Sequence, residues 1–390
     1  MSLFLSKLIC EVVAVLAQPV IDHELMDVST IVYRPSTRLN ATNPIDESGC
    51  LCSDFHMSAI FHVALISCFG VLAIHSAEFK PTSQCHFVPK KAKLELLWGE
   101  GEFTEGPTLG RDGVIYFSDI GNRTLRFDPK NGKTTVFRND SGKSNGLMMD
   151  RRGNLIACEG GNGGRRRISI TTTAGKSRTL AERWKGKRFN SPNDLAIDGK
   201  GGIYFTDPRY VGDERREIDF EGVFLVGRDG SVKLATRKVQ KPNGILVSLD
   251  GKFVYVADNN NSPRGSRHLL RFAVEKDRTL SGKKVLFKFE AGRRGIDGMT
   301  MDVKGNIYAT AGKGEHAGVY VFSSDGKHLA FIPTPQPTNC VFGGDRKKST
   351  LYITAILPKK RGQPTRWGLY RIRLTIEGHH IFPAEKSGGR

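Results

Sequence analysis

A short pattern recurs six times along this chain and constrains its fold more than any other feature. Each copy has a polar residue, a turn residue eight to ten positions later, and then a short apolar strand. The copies follow one another at intervals of 40 to 54 residues, a range typical of solenoids, propellers and repeat arrays. The polar residues are Glu105, Asn145, Asn193, Asn243, Asp297 and Asn339. The turn residues are Gly113, Gly153, Gly201, Gly251, Gly305 and Ser349.

The residues after each turn favour a propeller among these architectures. Alternating apolar runs flank Asn131-Gly132, Asp229-Gly230 and Asp325-Gly326, and such dipeptides are a strong signal for a β-hairpin. Each repeat therefore supplies about four strands, which make one propeller blade. No long apolar stripe with helical period separates the copies. The sequence predicts an all-β, six-bladed β-propeller over residues 86–378, closed by pairing Leu94–Trp98 with a strand at Gly368–Leu374.

The N-terminal part of the chain does not match the repeat. Residues 1–56 read as a poorly structured extension or an overlong gene prediction, with Met57 as the true start. Residues 57–77 contain the apolar run Ala59–Ile74 and predict a signal peptide cleaved near Ala77, with an uncleaved anchor as the alternative. We therefore expect an exported protein, periplasmic or secreted, without a stable membrane span after cleavage. The few cysteines that follow the cleavage site make no disulfide framework.

The formal net charge of +19 raises the question of nucleic-acid binding. Much of the surplus comes from clusters in separate loops, including Arg165-Arg166-Arg167 and Arg293-Arg294, without a basic helix or a motif of stacking aromatics. This pattern favours a solvated basic surface, with attraction to polyanions as the weaker alternative. We expect no nucleic-acid partner.

The six repeated polar residues occupy equivalent positions at the start of the inner strands. In a propeller these positions face the mouth of the central channel, so the six side chains are expected to converge. Glu105 and Asp297 are acids, and with the amide oxygens they form an all-oxygen set that suits Ca²⁺ better than Mg²⁺ or Mn²⁺. Asn and Asp also cap turns at strand entries, but a turn cap does not require the change from Asn to an acid. The pattern therefore favours a site.

Several motifs together resemble the gluconolactonase branch of the SMP-30/gluconolactonase/luciferin-regenerating family of six-bladed propellers. The resemblance covers roughly residues 100 to 375. The motifs are Glu105-Gly106-Pro107, Ser144-Asn145-Gly146-Leu147, Ala157-Cys158-Glu159, Asn190-Ser191-Pro192-Asn193-Asp194, Phe205-Thr206-Asp207-Pro208, Lys241-Pro242-Asn243-Gly244, Asp297-Gly298-Met299 and Thr338-Asn339-Cys340-Val341-Phe342-Gly343-Gly344.

The resemblance implies a divalent cation on the propeller axis, usually Ca²⁺, with Mg²⁺, Mn²⁺ or Zn²⁺ as alternatives. The implied metal ligands are Glu105, Asn193, Asn243 and Asp297. Asn193 would also contact the substrate, and Asn145 matches a further polar position of this branch. The implied reaction is hydrolysis of a small-molecule sugar lactone or a related cyclic ester, with the cation polarising the carbonyl group. Asp297 is the candidate catalytic residue, as base, nucleophile or ligand.

Glu159 and the residues after it need separate treatment. Glu159 is a candidate substrate-binding acid at the channel mouth, and a structural strand-end glutamate is the alternative. Relatives often carry His where this chain has Gly160, so the resemblance implies a slower enzyme or another substrate if that His moves protons. Arg209 replaces a common Pro and is expected at the surface, with an anionic substrate as the alternative.

Two other functions remain open on the sequence. The same site could act on other esters or on phosphotriesters. A propeller of the NHL type, whose strand motif resembles Asp302–Tyr308, would bind a ligand or a protein without chemistry. The acids Glu105 and Asp297 favour the enzyme, because a pure binding propeller does not need two acids on its axis.

Overall fold

The computed structural model describes residues 83–344, 348–359 and 361–381. The predicted extension over 1–56 and the predicted signal peptide over 57–77 lie outside these residues. No helix in the described ranges is long and apolar enough to cross a membrane. The described chain is almost entirely β-strand, with a short helix, α1 (Gln84–Phe87), and a 3₁₀ turn at Gly314–His316.

The strands form six four-stranded antiparallel sheets, which are the blades of a β-propeller. Strand β1 (Glu95–Gly101) comes before the first blade. Blade 1 contains β2 (Thr104–Leu109), β3 (Ile115–Asp119), β4 (Arg123–Asp128) and β5 (Lys133–Asn139). Blade 2 contains β6 (Ser144–Met149), β7 (Leu155–Glu159), β8 (Arg167–Thr171) and β9 (Ser177–Ala181). A small hairpin of β10 (Arg183–Trp184) and β11 (Lys187–Arg188) follows.

The next three blades repeat the arrangement. Blade 3 contains β12 (Leu195–Ile197), β13 (Ile203–Asp207), β14 (Gly222–Val226) and β15 (Val232–Thr236). Blade 4 contains β16 (Pro242–Val247), β17 (Phe253–Asn259), β18 (Arg267–Val274) and β19 (Leu280–Lys288). Blade 5 contains β20 (Met299–Met301), β21 (Ile307–Ala311), β22 (Gly318–Phe322) and β23 (His328–Pro333).

Blade 6 closes the ring with strands from both ends of the domain. It contains β24 (Pro337–Gly343), β25 (Thr350–Ile356) and β26 (Trp367–Arg373), and β1 is its outermost strand. Glu95 pairs with Arg371 in this sheet, which confirms the predicted closure. The inner strands β2, β6, β12, β16, β20 and β24 contact one another in this order, and β24 contacts β2. The six blades therefore surround one axis.

The turn residues lie between the first and second strands of each blade. Five of the six predicted turn positions are glycines with φ between +70° and +83°, a backbone region that favours glycine. The sixth copy differs, because Lys348 takes the left-handed conformation (φ +49°) in place of Ser349.

The hydrophobic core lies between neighbouring blades. Tyr204, Tyr255, Tyr308 and Tyr352, each on the second strand of its blade, are almost completely buried. One cluster joins Leu125 of blade 1, Leu155 of blade 2 and Leu369 of blade 6. Burial of apolar surface contributes roughly 25 cal/mol per Å². These buried clusters therefore stabilise the packing of neighbouring blades and fix the inner strands around the axis.

Candidate active site

Side-chain hydroxyls on the second strand of one blade bond the inner strand of the next. Ser118 in blade 1 donates from Oγ to the carbonyl oxygen of Asn145 in blade 2, at 2.7 Å. Thr206 in blade 3 donates from Oγ1 to the carbonyl oxygen of Asn243 in blade 4, also at 2.7 Å. The acceptor in both cases is the backbone of a predicted site residue. These two bonds therefore hold the backbones that present Asn145 and Asn243.

Glycine amides serve the same purpose between blades 2 and 3 and between blades 4 and 5. Gly146 donates its N–H to the carbonyl oxygen of Asn193 at 2.7 Å, and Gly244 donates to that of Asp297 at 2.8 Å. A Cβ at Gly244 would lie 2.4 Å from the Asp297 oxygen, so no side chain fits there. The glycine that follows the polar residue in these repeats is therefore required by close approach of the next blade.

Two further bonds complete a ring around the axis. Gly298 in blade 5 donates to the carbonyl oxygen of Thr338 in blade 6 at 2.8 Å. Thr338 donates from Oγ1 to the carbonyl oxygen of Thr104 in blade 1, also at 2.8 Å. Each blade is thus bonded to the next beside the axis, and we call this set the axial hydrogen-bond ring. It fixes the backbone of the polar residue in blades 2 to 5, and that of the residue just before it in blades 1 and 6.

A cavity of about 420 Å³ opens at one end of the axis. Five of the six repeated polar residues line it: Glu105, Asn145, Asn193, Asn243 and Asp297. They come from five different blades, which is the convergence expected from the repeat. Tyr210, Lys143 and Arg294 also line the cavity and were not predicted.

The two acids of the cavity affect each other. Glu105 and Asp297 are both buried. Burial, and next the charge of Asp297, raise the pKa of Glu105 well above its usual range, against a 3.0 Å hydrogen bond from the Gly106 N–H to its Oε2. Burial also raises the pKa of Asp297, against the opposing effects of Arg294 and Asn243. The cavity therefore holds two desolvated carboxylates whose negative charges repel.

Asn243 connects this acid pair to Tyr210. Its Nδ2 donates to the Tyr210 Oη at 3.2 Å, and its side chain also hydrogen-bonds Asp297. The Tyr210 hydroxyl in turn donates to the carbonyl oxygen of Asn259 at 3.0 Å. Burial, and next the charge of Asp297, raise the pKa of Tyr210 well above its usual range, so the phenol stays protonated. With its nitrogen used as donor, Asn243 keeps its Oδ1 as a candidate ligand.

Arg294 is the charged partner of Asp297. It lies three residues before Asp297, in the segment between β19 and β20, and its Nη2 forms an ion pair with Asp297 Oδ2. Its Nη1 donates to the carbonyl oxygen of Pro337 at 2.8 Å. The side chain is only 15% exposed. The sequence placed the Arg293-Arg294 pair on a solvated surface, and for Arg294 this prediction is wrong.

The sixth polar residue, Asn339, does not line this cavity, contrary to the expectation that all six converge. It lines a second cavity of about 530 Å³ in the same channel, together with Asp194 and the C-terminal residues His379 and His380. Asn339 Oδ1 accepts from the Cys340 N–H at 2.8 Å. Burial raises the pKa of Asp194 to about 7. Asp194 follows Asn193 directly, and its place below the first cavity was not predicted.

Glu159 lies outside the lining of the first cavity. Its side chain is completely buried, and its oxygens accept from Arg167 Nε at 2.7 Å and from Arg138 Nη2 at 3.2 Å. The structure therefore gives Glu159 three surrounding arginines, the third being Arg165 at 3.6 Å, rather than a place in the cavity. Its position matches the alternative of a structural strand-end glutamate.

The residues after Glu159 form part of the cavity wall. Gly160 and Gly161 line it, and Gly161 donates its N–H to Ser191 Oγ at 2.8 Å. Arg209 is buried, and it bonds the carbonyl oxygen of Asn190 at 2.7 Å and the carboxylate of Glu214 at 3.0 Å. The prediction of Arg209 at the surface is therefore wrong, because the side chain holds together the loops beside the cavity.

The donor set fits a hard divalent cation better than a structural zinc ion. Among the residues that the structure describes, no three His, Cys, Asp or Glu side chains are grouped so that they could hold a metal ion. The first cavity offers instead two carboxylates and the amide oxygens of asparagines, a set that suits an oxygen-preferring cation such as Ca²⁺. The repulsion between the buried acids is a second point in favour, since a cation would relieve it.

The matches to known proteins agree with this architecture. The family model described as the SMP-30/gluconolactonase/LRE-like region matches residues 103–357. A gluconolactonase from Zymomonas mobilis is 29% identical over 290 residues, covering 67% of this chain and 78% of that protein. A pentonolactonase from Haloferax volcanii is 27% identical, covering 64% of this chain and 80% of that protein. The solved structure of a gluconolactonase from Xanthomonas campestris has a TM-score of 0.63 and 29% identity, covering 75% of this chain and 92% of that one.

Proposed function

The chain belongs to the SMP-30/gluconolactonase/LRE-like family, and on that premise we propose that it hydrolyses a sugar lactone or a related cyclic ester with a divalent cation, Ca²⁺ in the first place, at the propeller axis. The relatives named gluconolactonase and pentonolactonase support the reaction class. The size of the axial cavity, about 420 Å³, lies within the range of small-molecule sites.

One observation carries the proposal. Glu105 belongs to blade 1 and Asp297 to blade 5. The circular arrangement of the blades brings both carboxylates into one cavity with three asparagines. Burial of two like charges is unfavourable, and the single positive charge of Arg294 offsets only one of them, so the pair favours a further ligand of opposite charge. The alternative of a propeller that only binds a protein or ligand does not explain it.

The residues of the cavity would have different roles. Glu105, Asp297, Asn243 and Asn193 would hold the cation, which would supply Lewis acidity to a bound carbonyl group. Asn145 and Asn193 line the wall and offer amide donors and acceptors for sugar hydroxyls. The protonated Tyr210 hydroxyl is held by Asn259 and by Asn243 at the same wall.

Asp297 is the residue we assign to proton transfer. A cation held by Asp297 would lower the pKa of its carboxylate, so the suitability of Asp297 as base rests on its place at the cation and not on the raised pKa of the metal-free site. The carboxylate would take a proton from the attacking water as the new C–O bond forms. The ring C–O bond then breaks, and the proton passes to the departing ring oxygen, which leaves an open-chain hydroxy acid.

The test combines calorimetric titration of the full-length protein with Ca²⁺ and a pH-stat assay on D-glucono-1,5-lactone over the same Ca²⁺ series. We expect binding of one cation and Ca²⁺-dependent release of acid. Asp297→Asn should remove turnover while the fold survives, and Asp229→Asn, in an exposed hairpin turn, is the matched control. The Glu105→Gln variant should bind Ca²⁺ more weakly.

Each other outcome points to a different function. Cation binding without turnover on any lactone would direct the search to other esters and to phosphotriesters. Absence of both binding and turnover would refute the proposal, and the binding propeller would become the leading interpretation. Near-normal turnover in Asp297→Asn would remove Asp297 from the mechanism.

A further inference from the structure

The guanidinium of Arg294 lies where a cation would be needed. Arg294 reaches into the cavity from the segment between β19 and β20 and contacts Asp297 Oδ2 through Nη2. It is held at a second point, since Nη1 donates to the carbonyl oxygen of Pro337 in blade 6 at 2.8 Å. Its own carbonyl oxygen accepts from the Gly312 N–H at 3.0 Å. The arginine is therefore fixed against the acid pair by contacts from two blades.

The positive charge of Arg294 serves both acids of the pair. Its guanidinium forms an ion pair with Asp297 and lines the same cavity as Glu105. Asn243, the other side chain that bonds Asp297, carries no charge. In the absence of a metal ion, Arg294 is therefore the counter-ion that allows two carboxylates to share one buried cavity.

A divalent cation at the same carboxylates would make this arrangement unfavourable. The pair would then carry two negative charges against three positive charges, and the guanidinium and the cation would repel at short range. The contact between Arg294 and Asp297 also uses an oxygen that could bind the cation. The side chains of both residues are largely removed from water, so solvent screens this repulsion only in part.

We propose that Arg294 is the resident counter-ion of the Glu105–Asp297 pair and that a divalent cation enters the site by displacing its guanidinium from Asp297. The inference rests on the proposed cation site. Arg294 then lowers the affinity of the site for cations and keeps the metal-free propeller stable. An arginine that merely orients Asp297 as a ligand would have the opposite effect, since its loss would weaken cation binding.

The matched control is the neighbouring arginine. Arg293 lies in the same loop and forms an ion pair with Glu290 at 2.8 Å, with the same three-residue spacing as the pair of Arg294 and Asp297. Arg293 does not line the cavity. Arg293→Gln therefore removes a charge and an ion pair from the same loop without touching the acid pair.

The experiment compares wild type, Arg294→Gln, Arg294→Lys and Arg293→Gln as full-length proteins. Calorimetry with Ca²⁺ should give a Kd at least about tenfold lower for Arg294→Gln than for Arg293→Gln, with Arg294→Lys close to wild type. Thermal melts in a chelator should show that Arg294→Gln melts at a lower temperature than Arg293→Gln, and saturating Ca²⁺ should remove the difference.

The outcomes separate this inference from the proposed function. Equal or weaker Ca²⁺ binding by Arg294→Gln, with clear binding by wild type, would overturn the displacement and leave the cation site intact. Absence of Ca²⁺ binding in every variant would overturn both. A wild type that binds Ca²⁺ too weakly to measure, beside an Arg294→Gln variant that binds it well, would support the inference strongly.

Discussion

The axial hydrogen-bond ring predicts a measurable cost for replacing Thr206 by valine. Thr206 Oγ1 donates to the carbonyl oxygen of Asn243 at 2.7 Å and accepts from the N–H of Asp194 at 3.1 Å. Valine has the same shape and lacks the hydroxyl. The substitution therefore leaves one buried donor and one buried acceptor without this partner.

The size of the effect follows from these two groups. An unsatisfied buried polar group costs about 1–3 kcal/mol, so we expect Thr206→Val to lose about 3 kcal/mol of unfolding free energy. A domain of this size has an unfolding entropy of about 0.6 kcal/mol/K, and the melting temperature should fall by about 5 °C. Cation affinity should fall about tenfold, because Asn243 is a proposed ligand held by this bond.

The assay is a thermal melt in chelator followed by calorimetric titration with Ca²⁺. Thr135→Val is the matched control, since Thr135 lies on the exposed strand β5 and far from the axis in its blade, and it should change stability by less than about 0.5 kcal/mol. If Thr206→Val and Thr135→Val have the same melting temperature, and Thr206→Val binds Ca²⁺ as wild type does, the axial hydrogen-bond ring does not hold the site.

Three further predictions concern the acids and the glycines. Because the pKa values of Glu105 and Asp297 are raised and a cation binds the deprotonated pair, Ca²⁺ affinity should rise with pH above the ordinary carboxyl range near 4, and calorimetry in two buffers should detect proton release. Gly106→Ala should cost more than Gly132→Ala in denaturant melts, since both have positive φ but only Gly106 would place a Cβ 2.2 Å from the next blade's carbonyl oxygen. Glu159→Gln should lower the melting temperature, because it leaves partly buried arginines poorly paired, and should leave KM unchanged. A raised KM at an unchanged melting temperature would restore Glu159 as a substrate contact.

The repeat was sufficient to predict the fold and the convergence of most axial residues. Position within a repeat fixes position around the axis, so Glu105 and Asp297 could be placed together although 192 residues separate them. The six blades and the closing pair of strands were predicted for the same reason. The roles assigned to the individual site residues stay predictions.

The residues that sequence reasoning missed do not follow the repeat. Arg294 and Tyr210 reach the cavity from segments between strands, where no period indicates the direction of a side chain. Asn339 follows the repeat but lines the other cavity, where its amide oxygen bonds the Cys340 N–H. Arg294 could have been suspected from its place three residues before Asp297, a spacing that allows an ion pair.

The closing blade has a consequence for how the protein is made. Glu95 and Arg371, which pair across it, are 276 residues apart in the chain. Joining such distant segments costs about 5 kcal/mol in chain entropy, and proteins with many distant contacts fold slowly. Since Thr338 bonds Thr104 across the same junction, a chain still on the ribosome can assemble blades 1 to 5 without completing the axial ring. We expect the active site to form in a single late step, after the final blade has been synthesised and β26 has paired with β1.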